Sequence, residues 1–404
     1  MTTTEQSYAT APALSDLLKR YSSIAAFMAL VFLGLTVAGA FMPGFGGIEQ
    51  FMRSYLVGFW FWFGAGAGCL VILMTQYLTG GAWGLVIRRF LEAGAKTLYL
   101  FALLFLPLLI FSDKLYFWPT HPTDKVIQAK ALYLNVPFFW IRWVVYSVFF
   151  MVFVKLLTAW SRREDETGST DYSSRLESLS APGVPAFFLI MTFCAIDYMM
   201  ILEPYWYSTV YGFMIVIGGC LTALSVVVAT LTVTMRFEPM HHAITKKHLH
   251  DLGKLLFALV MLWAYLNFSQ LIITWSGNLP TEIGWYIKRW GGGWGWVGLL
   301  MLLGHFVLPF ALLLSQDLKK NPNTIRSIAI YLVIIRAIDV YYLVEPNFGD
   351  VKAPHFTLSW MDITAPIGFG GLWLAMFFRN LPAMPLLPLG APDLKKALNH
   401  GRDH

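Results

Sequence analysis

Ten stretches of this sequence are long and apolar enough to cross a hydrocarbon core of ~30 Å, a distance that takes about 20 helical residues. They fall at residues 21–42, 55–79, 93–111, 133–158, 183–203, 206–234, 254–275, 294–315, 326–344 and 362–379, and little chain is left between them. The expected fold is an all-α, polytopic membrane protein of ten transmembrane helices. Composition excludes other classes: only 13% of the 404 residues are charged and 57% are hydrophobic. No basic stripe interleaved with aromatics offers a nucleic-acid surface, and no Gly-x-x-x-x-Gly-Lys-Ser/Thr loop is present for ATP-driven work.

Loop charge sets the expected orientation. The amino end, loops 2–3, 4–5, 6–7 and 8–9 and the carboxyl end carry more than twice the Lys and Arg of the alternate loops, which places both termini in the cytoplasm. Residues 1–20 are polar and no cleavage site follows a short apolar core, so the first helix reads as an uncleaved anchor. The polar insert from Trp160 to Pro182 mixes both signs of charge and reads as a solvated cytoplasmic linker. Gly80-Gly81 and Arg88-Arg89 are expected to stop the second crossing at the interface.

Spans five and nine end on one string. Ala195-Ile196-Asp197, five residues and Glu203-Pro204 recur as Ala337-Ile338-Asp339, five residues and Glu345-Pro346. A carboxylate facing lipid costs about 2.5–3.5 kcal/mol on insertion scales, and intramembrane acids face bundle interiors and ion pathways. The two strings are four crossings apart, so their helices run in the same direction. The repeat is therefore parallel and defines two four-helix bundles, spans 2–5 and 6–9, flanked by spans 1 and 10. The organisation expected is a terminal segment 1–20, a flanking helix and loop 21–54, bundles 55–203 and 204–345, and a flanking helix with tail 346–404. Weaker echoes run in the same order, Gly68-Cys69-Leu70 with Gly219-Cys220-Leu221 among them.

Each Asp lies past mid-depth and its Glu near the outer interface, about 9 Å apart along the axis at ~1.5 Å per residue. That separation is too long for direct proton transfer and suits a relay. Tyr198, Tyr341 and Tyr342 are candidates either for its intermediates or for satisfying buried carboxylates. Arg336 shares a helix face with Asp339, and Arg142 in span four can point into the first bundle. Such pairs either hold helices in register or gate a proton pathway. Lys96 and Lys254 can snorkel to the interface. In span seven Trp263, Asn267, Gln270 and Thr274 stack on one face, which should look into its bundle, for helix pairing or for a ligand. His305 in span eight is a proton carrier, a quinone partner or a satisfied core histidine. Gly64, Gly66 and Gly68 read as sites of close helix packing, and Trp285, Tyr286, Trp290, Trp294 and Trp296 as an interfacial belt.

Redox cofactors find few ligands here. Cys69, Cys194 and Cys220 are scattered through apolar runs, and only His305 lies inside a span, so neither an iron–sulfur cluster nor a bis-histidine haem is expected. His241, His242, His248 and His250 share a loop with lysines and read as solvated, with no metal expected.

Four stretches carry a family resemblance: Ala195–Ser208 (AIDYMMILEPYWYS), His250–Pro280, Gly304–Asn321 (GHFVLPFALLLSQDLKKN) and Arg53–Glu92 with its Leu-Thr-Gly-Gly-Ala-Trp-Gly centre. They resemble the F subunits of alternative complex III, the bacterial quinol:cytochrome c oxidoreductase, within the polysulfide-reductase (NrfD-like) membrane-subunit superfamily. The pattern departs from the family at Tyr198, where Trp is expected, and at Tyr205, where His is expected. The resemblance implies a bacterial inner-membrane subunit without cofactors of its own, in which Asp197, Glu203, Asp339 and Glu345 fall on positions proposed to form proton half-channels. It implies partner chains: a paralogous C membrane subunit with the main quinol site, an iron–sulfur B subunit, multihaem and monohaem cytochromes carrying haem c, and a small membrane subunit. A terminal oxidase is a further candidate partner, and quinone a candidate ligand. Two other readings stand beside this one, a stand-alone secondary transporter built from parallel repeats and a purely structural anchor.

Overall fold

The computed structural model describes residues 11–401; residues 1–10 of the amino-terminal segment and 402–404 of the tail lie outside it. The described residues form helices and no strand. Among the described residues ten helices are long and apolar enough to span a membrane: α1 (Pro12–Ala40), α2 (Gly47–Thr79), α3 (Ala82–Ile110), α4 (Val136–Thr167), α5 (Thr170–Leu202), α6 (Tyr211–Thr234), α7 (Lys246–Gly277), α8 (Trp294–Leu314), α9 (Pro322–Phe348) and α10 (Met361–Ala383). We call the face carrying the α1–α2, α3–α4, α5–α6, α7–α8 and α9–α10 loops distal, and the opposite face proximal.

Local chemistry explains where they start and stop. Asn135 caps α4 through the Phe138 N–H and Asn321 caps α9, each followed by a proline in the first turn, where a missing N–H costs nothing. Thr245 and His248 form a reciprocal capping box on α7. Gly168, at φ 63°, ends α4, and Ser169 at once caps α5. The expected linker between Trp160 and Pro182 is thus two helix ends joined by a tight turn. α8 loosens into a π-helical stretch over Met301–Val307, where Pro309 has no N–H for the His305 carbonyl four residues back.

The two central helices are α2 and α6, whose apolar windows are each 94% buried, against 22% for α1 and α7. α2 packs on α3 and α5, with α4 against both; α6 packs on α7 and α9, with α8 against both. α1 and α10 pair with each other and lie against α2. The α2–α6 crossing is glycine on glycine: a Cβ on Gly68 would lie 2.4 Å from the Gly219 carbonyl oxygen, and one on Gly219 2.6 Å from that of Gly64. Lipid supplies no hydrophobic drive between helices, so such close backbone approach carries the association. The Gly-Cys-Leu echoes thereby meet face to face.

Two expectations about the interfaces are corrected. Gly80 and Gly81 do end α2, with positive φ, but Arg88 and Arg89 lie inside α3, buried, and stop nothing. Arg88 pairs with Glu164 at 2.6 Å and Arg89 with Glu92 at 2.7 Å and with Asp165, while Ser161 donates to Glu92 at 2.5 Å. Glu164 and Asp165, expected in a solvated insert, are counter-ions inside the protein, whereas Glu166, Asp171 and Glu177 of the same insert are exposed. Of the expected aromatic belt only Trp290 and Trp296 are exposed; Trp285, Tyr286 and Trp294 are buried, Trp285 stacked on Trp206 at 4.8 Å. Likewise His248 is buried at the start of α7, not solvated.

Candidate functional site: two buried aspartates

Asp197 lies near the distal end of α5, just before the chain tightens into a 3-10 turn over Met200–Leu202. Its Oδ2 accepts from Arg142 Nε and from the Tyr146 hydroxyl, both at 2.7 Å. Those two donors sit four residues apart on α4 and so share one face. Arg142 also donates to the Tyr133 carbonyl at 2.7 Å and lies 4.0 Å over the Tyr133 ring, which offsets the desolvation of the guanidinium. The other oxygen of Asp197, Oδ1, is buried without a close hydrogen bond.

That oxygen belongs to a residue lining a cavity of about 410 Å³, whose wall also includes Glu203, Tyr133, Lys130, Ile201 and Trp206. Trp206 Nε1 too has no partner. Asp197 and Glu203 thus line one cavity, whose volume exceeds by far the ≳10–15 Å³ that a single water needs. The α3–α4 loop closes over it: Lys130 Nζ donates to the Pro204 carbonyl at 2.8 Å, and burial pulls the Lys130 ammonium below its ordinary pKa. Burial and the charge of Asp197 push the Tyr133 hydroxyl up. Glu203 forms an ion pair with Lys288 of the helix Pro280–Trp290 in the α7–α8 loop.

Asp339 is buried to the same degree but enclosed differently. Its Oδ2 accepts from Arg336 Nη1 at 2.5 Å and from Trp263 Nε1 at 2.8 Å. His305 Nδ1 stands 3.6 Å from the same oxygen, and its ring centroid is 3.9 Å from that of Trp263. Neither His305 nitrogen has a hydrogen bond, and the residue is fully buried. The π-helical stretch of α8 sets its position, a distortion frequent at functional sites. Arg336 fits because α6 has a glycine opposite: a Cβ on Gly218 would fall 2.1 Å from Arg336 Nη2.

The tyrosines proposed as relay members do not bridge the acids. The Tyr198 hydroxyl is buried without a partner and its ring packs 4.0 Å from Phe105. Tyr341 donates to the Thr357 carbonyl, and Tyr342 to the Arg289 carbonyl at 3.1 Å. The group that does reach Asp197 is Tyr146, overlooked although its spacing of four from Arg142 signalled it. Of the α7 stripe it is Trp263 that lies against His305; the other three bond elsewhere. Trp263 bonds Asp339, Asn267 donates to the Trp263 carbonyl at 2.9 Å, Gln270 donates to Thr274 at 3.3 Å, and Ser208 donates to Gln270. Glu345, 3% exposed, pairs with no lysine.

Also unforeseen is Arg289, fully buried at the distal end and held by the carbonyls of Trp285 and Leu343 and by Asn347 Oδ1 at 3.0 Å. Burial lowers its pKa to about 10, so it stays charged at neutral pH. Cys69, Cys194 and Cys220 are free and buried, and no group of three or more His, Cys, Asp or Glu side chains gathers for a metal among the described residues.

No protein-family model matches the chain, and no curated protein matches it. What fold and site define together is a ten-helix polytopic membrane protein with two buried, arginine-paired aspartates at corresponding places.

Proposed function

We propose that this chain is a membrane subunit of a bacterial quinol-oxidising complex of the alternative complex III type, and that it moves protons or couples conformation to quinol oxidation. The observation that carries the reading is Asp197: its Oδ1 is buried without a close hydrogen bond, and the residue lines a cavity with Glu203 and with Tyr133, whose hydroxyl is the donor group beside the carboxylate. A carboxylate satisfied only for packing would have both oxygens bonded. In this reading the chain lies in the inner membrane with its proximal face in the cytoplasm and holds no redox centre. The partners are the paralogous membrane subunit, which carries the main site of quinol oxidation, an iron–sulfur subunit and haem-bearing cytochromes. Asp197 exchanges protons with the cavity, Arg142 and Tyr146 hold its charge when ionised, and Glu203 with Lys288 forms the distal end of the path.

The test is Asp197→Asn and Asp339→Asn in the assembled complex, with quinol oxidation and proton release followed together. A lowered proton-to-electron ratio is expected for Asp197→Asn; an unchanged ratio in both variants refutes the role. A stand-alone transporter is the second reading, favoured by the π-helical stretch of α8 beside His305. Purification in mild detergent separates the two, since co-elution with haem absorbance supports the complex and a lone chain that moves solute supports the transporter.

A further inference from the structure

α1 and α10 pack on each other and on α2, while α6 and α9 pack on each other. Where the two pairs face one another in their proximal halves, they leave a cleft of about 330 Å³. The frame is tied at its proximal end, where the N–H of Ala11, the residue before α1, donates to the Glu238 carbonyl of the α6–α7 loop at 3.2 Å. Most polar groups in the wall are already committed. Trp62 Nε1 donates to the Pro366 carbonyl at 2.8 Å, and the hydroxyls of Thr230 and Thr234 donate to the Val226 and Leu231 carbonyls of their own helix, both at 2.9 Å. Two polar side chains remain, Tyr21 of α1, whose ring packs 5.6 Å from that of Phe378, and Arg326 of α9. The rest of the wall is apolar.

Arg326 stands near the proximal start of α9, and Ile330 and Ile334 follow it into the bilayer at intervals of four, on one face of the helix. That stripe runs about 12 Å along the axis. Ile330 is 47% and Ile334 57% exposed, so the slot is open to hydrocarbon from the membrane. A guanidinium carries five N–H donors; that of Arg326 gives one to Asn323 Oδ1 at 3.1 Å, and among the described residues no carboxylate pairs with it. An unpaired cation above an apolar slot at the end of a membrane-spanning helix matches a phosphate joined to a hydrocarbon chain. A chain lying in the slot gains the dispersion contacts that a gap between helices forfeits. We propose that this cleft binds an anionic phospholipid of the proximal leaflet, with its phosphate on Arg326 and one acyl chain along Ile330 and Ile334. The lipid bridges the flanking pair α1–α10 to the second bundle. A quinone head is the poorer occupant, because the indole and hydroxyl donors deeper in the wall are spent within the protein. The site lies at the opposite end of the helices from the Asp197 cavity and does not depend on the proton-conducting reading.

Native mass spectrometry of the full chain, purified in mild detergent with any partners it carries, counts bound lipids as it is titrated with phosphatidylglycerol or with phosphatidylcholine of the same chain length. One phosphatidylglycerol should be held about tenfold more tightly than phosphatidylcholine, the scale of hydrogen bonds to a charge. Arg326→Gln should erase that preference, and Ile330→Trp, which fills the slot, should remove the tightly held lipid. Glycerol 3-phosphate, a headgroup without chains, should not compete. Equal retention of the two lipids by the unaltered chain overturns the proposal, as does a preference that survives Arg326→Gln or Ile330→Trp. Competition by glycerol 3-phosphate would reduce the site to an anion site on Arg326, and displacement by a short-chain quinone would make it a quinone site; either result overturns the phospholipid. Should Arg326→Gln fail to assemble, the two lipids on the unaltered chain and Ile330→Trp still decide.

Discussion

Asp197 and Asp339 hold the same place in two copies of one string, and each is 2% exposed, yet their surroundings differ in kind. Asp197 takes its arginine and a tyrosine from the neighbouring helix, keeps one oxygen without a close hydrogen bond, and belongs to the wall of a cavity. Asp339 takes its arginine from its own helix and is walled in by Trp263 and His305. The repeat sets the place of the acid along its helix and the direction of that helix. What the acid can exchange with is decided by α4 in one half and by α7 and α8 in the other, where the halves have diverged. In the proton-conducting reading the first site exchanges protons with the cavity its residue lines, and the second holds an internal charge between Arg336 and His305.

The sharpest way to break that comparison is access. Ile196 and Ile338 precede the two aspartates, both half-buried, but only Ile196 lines the cavity about Asp197. Thiols react as thiolates, which need water. Ile196→Cys should therefore be modified by a charged thiol reagent while Ile338→Cys stays unreacted, with mass spectrometry of the intact chain as the readout. Equal labelling would mean the two sites are equally wet.

Removing the arginines should separate the sites by stability. Breaking a buried pair by deleting one partner costs about 3–5 kcal/mol, because the other charge stays buried and unpaired. Arg336→Ala is expected in that range, since the hole it leaves against Gly218 is enclosed by α6. Arg142→Ala should cost less, about 1.5–3 kcal/mol, the loss of hydrogen bonds to a charge, because cavity water can solvate Asp197. Thermal unfolding in detergent, followed by tryptophan fluorescence, orders the two; the reverse order would show the cavity to be dry.

A smaller effect tests the seam between the halves. In Gly68→Ala the new methyl meets the Gly219 backbone, which cannot swing aside, and overpacking of this kind costs about 1–3 kcal/mol. Gly64→Ala is its control, because that Cβ would lie 3.7 Å from Gly219, an ordinary contact. Equal stability of the two variants in the same assay would mean that α2 and α6 shift freely against each other.

The ten helices and the place of each aspartate near the distal end of its helix were legible because hydropathy and residue spacing are local properties. Arg336 with Asp339 was legible for the same reason, being three residues apart on one helix. Trp263 was read as one of a polar stripe, and nothing local says that its indole crosses to α9. Glu164 and Asp165 read as solvated because charge in a short insert usually is, whereas here helix α4 continues through them and turns both toward α3. The tyrosines beside the acids in sequence point elsewhere, since neighbours in a helix face different directions. A cavity, being bounded by several segments at once, leaves no mark in any one of them.

The loops repeat the contrast in miniature. The residue after each Glu-Pro tethers the loop of its own half: Tyr205 donates to Asp124 of the α3–α4 loop at 2.7 Å, and Asn347 accepts from Arg289 of the α7–α8 loop at 3.0 Å. Each loop also sends a lysine back to a turn carbonyl, Lys130 to Pro204 and Lys288 to Asn347. But Tyr205 is 46% exposed and Arg289 fully buried. Losing an acceptor strands a buried charge, so Asn347→Ala should cost about 1.5–3 kcal/mol. Tyr205→Phe should cost far less than Asn347→Ala, as water replaces the hydroxyl at Asp124. The hydrogen bond holds the Asp124 carboxyl below its usual range, so the small effect of Tyr205→Phe should be present at neutral pH and fade as pH falls through the carboxylate range. A Tyr205→Phe loss as large as that of Asn347→Ala would mean that both loops are sealed alike and that the cavity of the first half opens elsewhere than beneath its own loop.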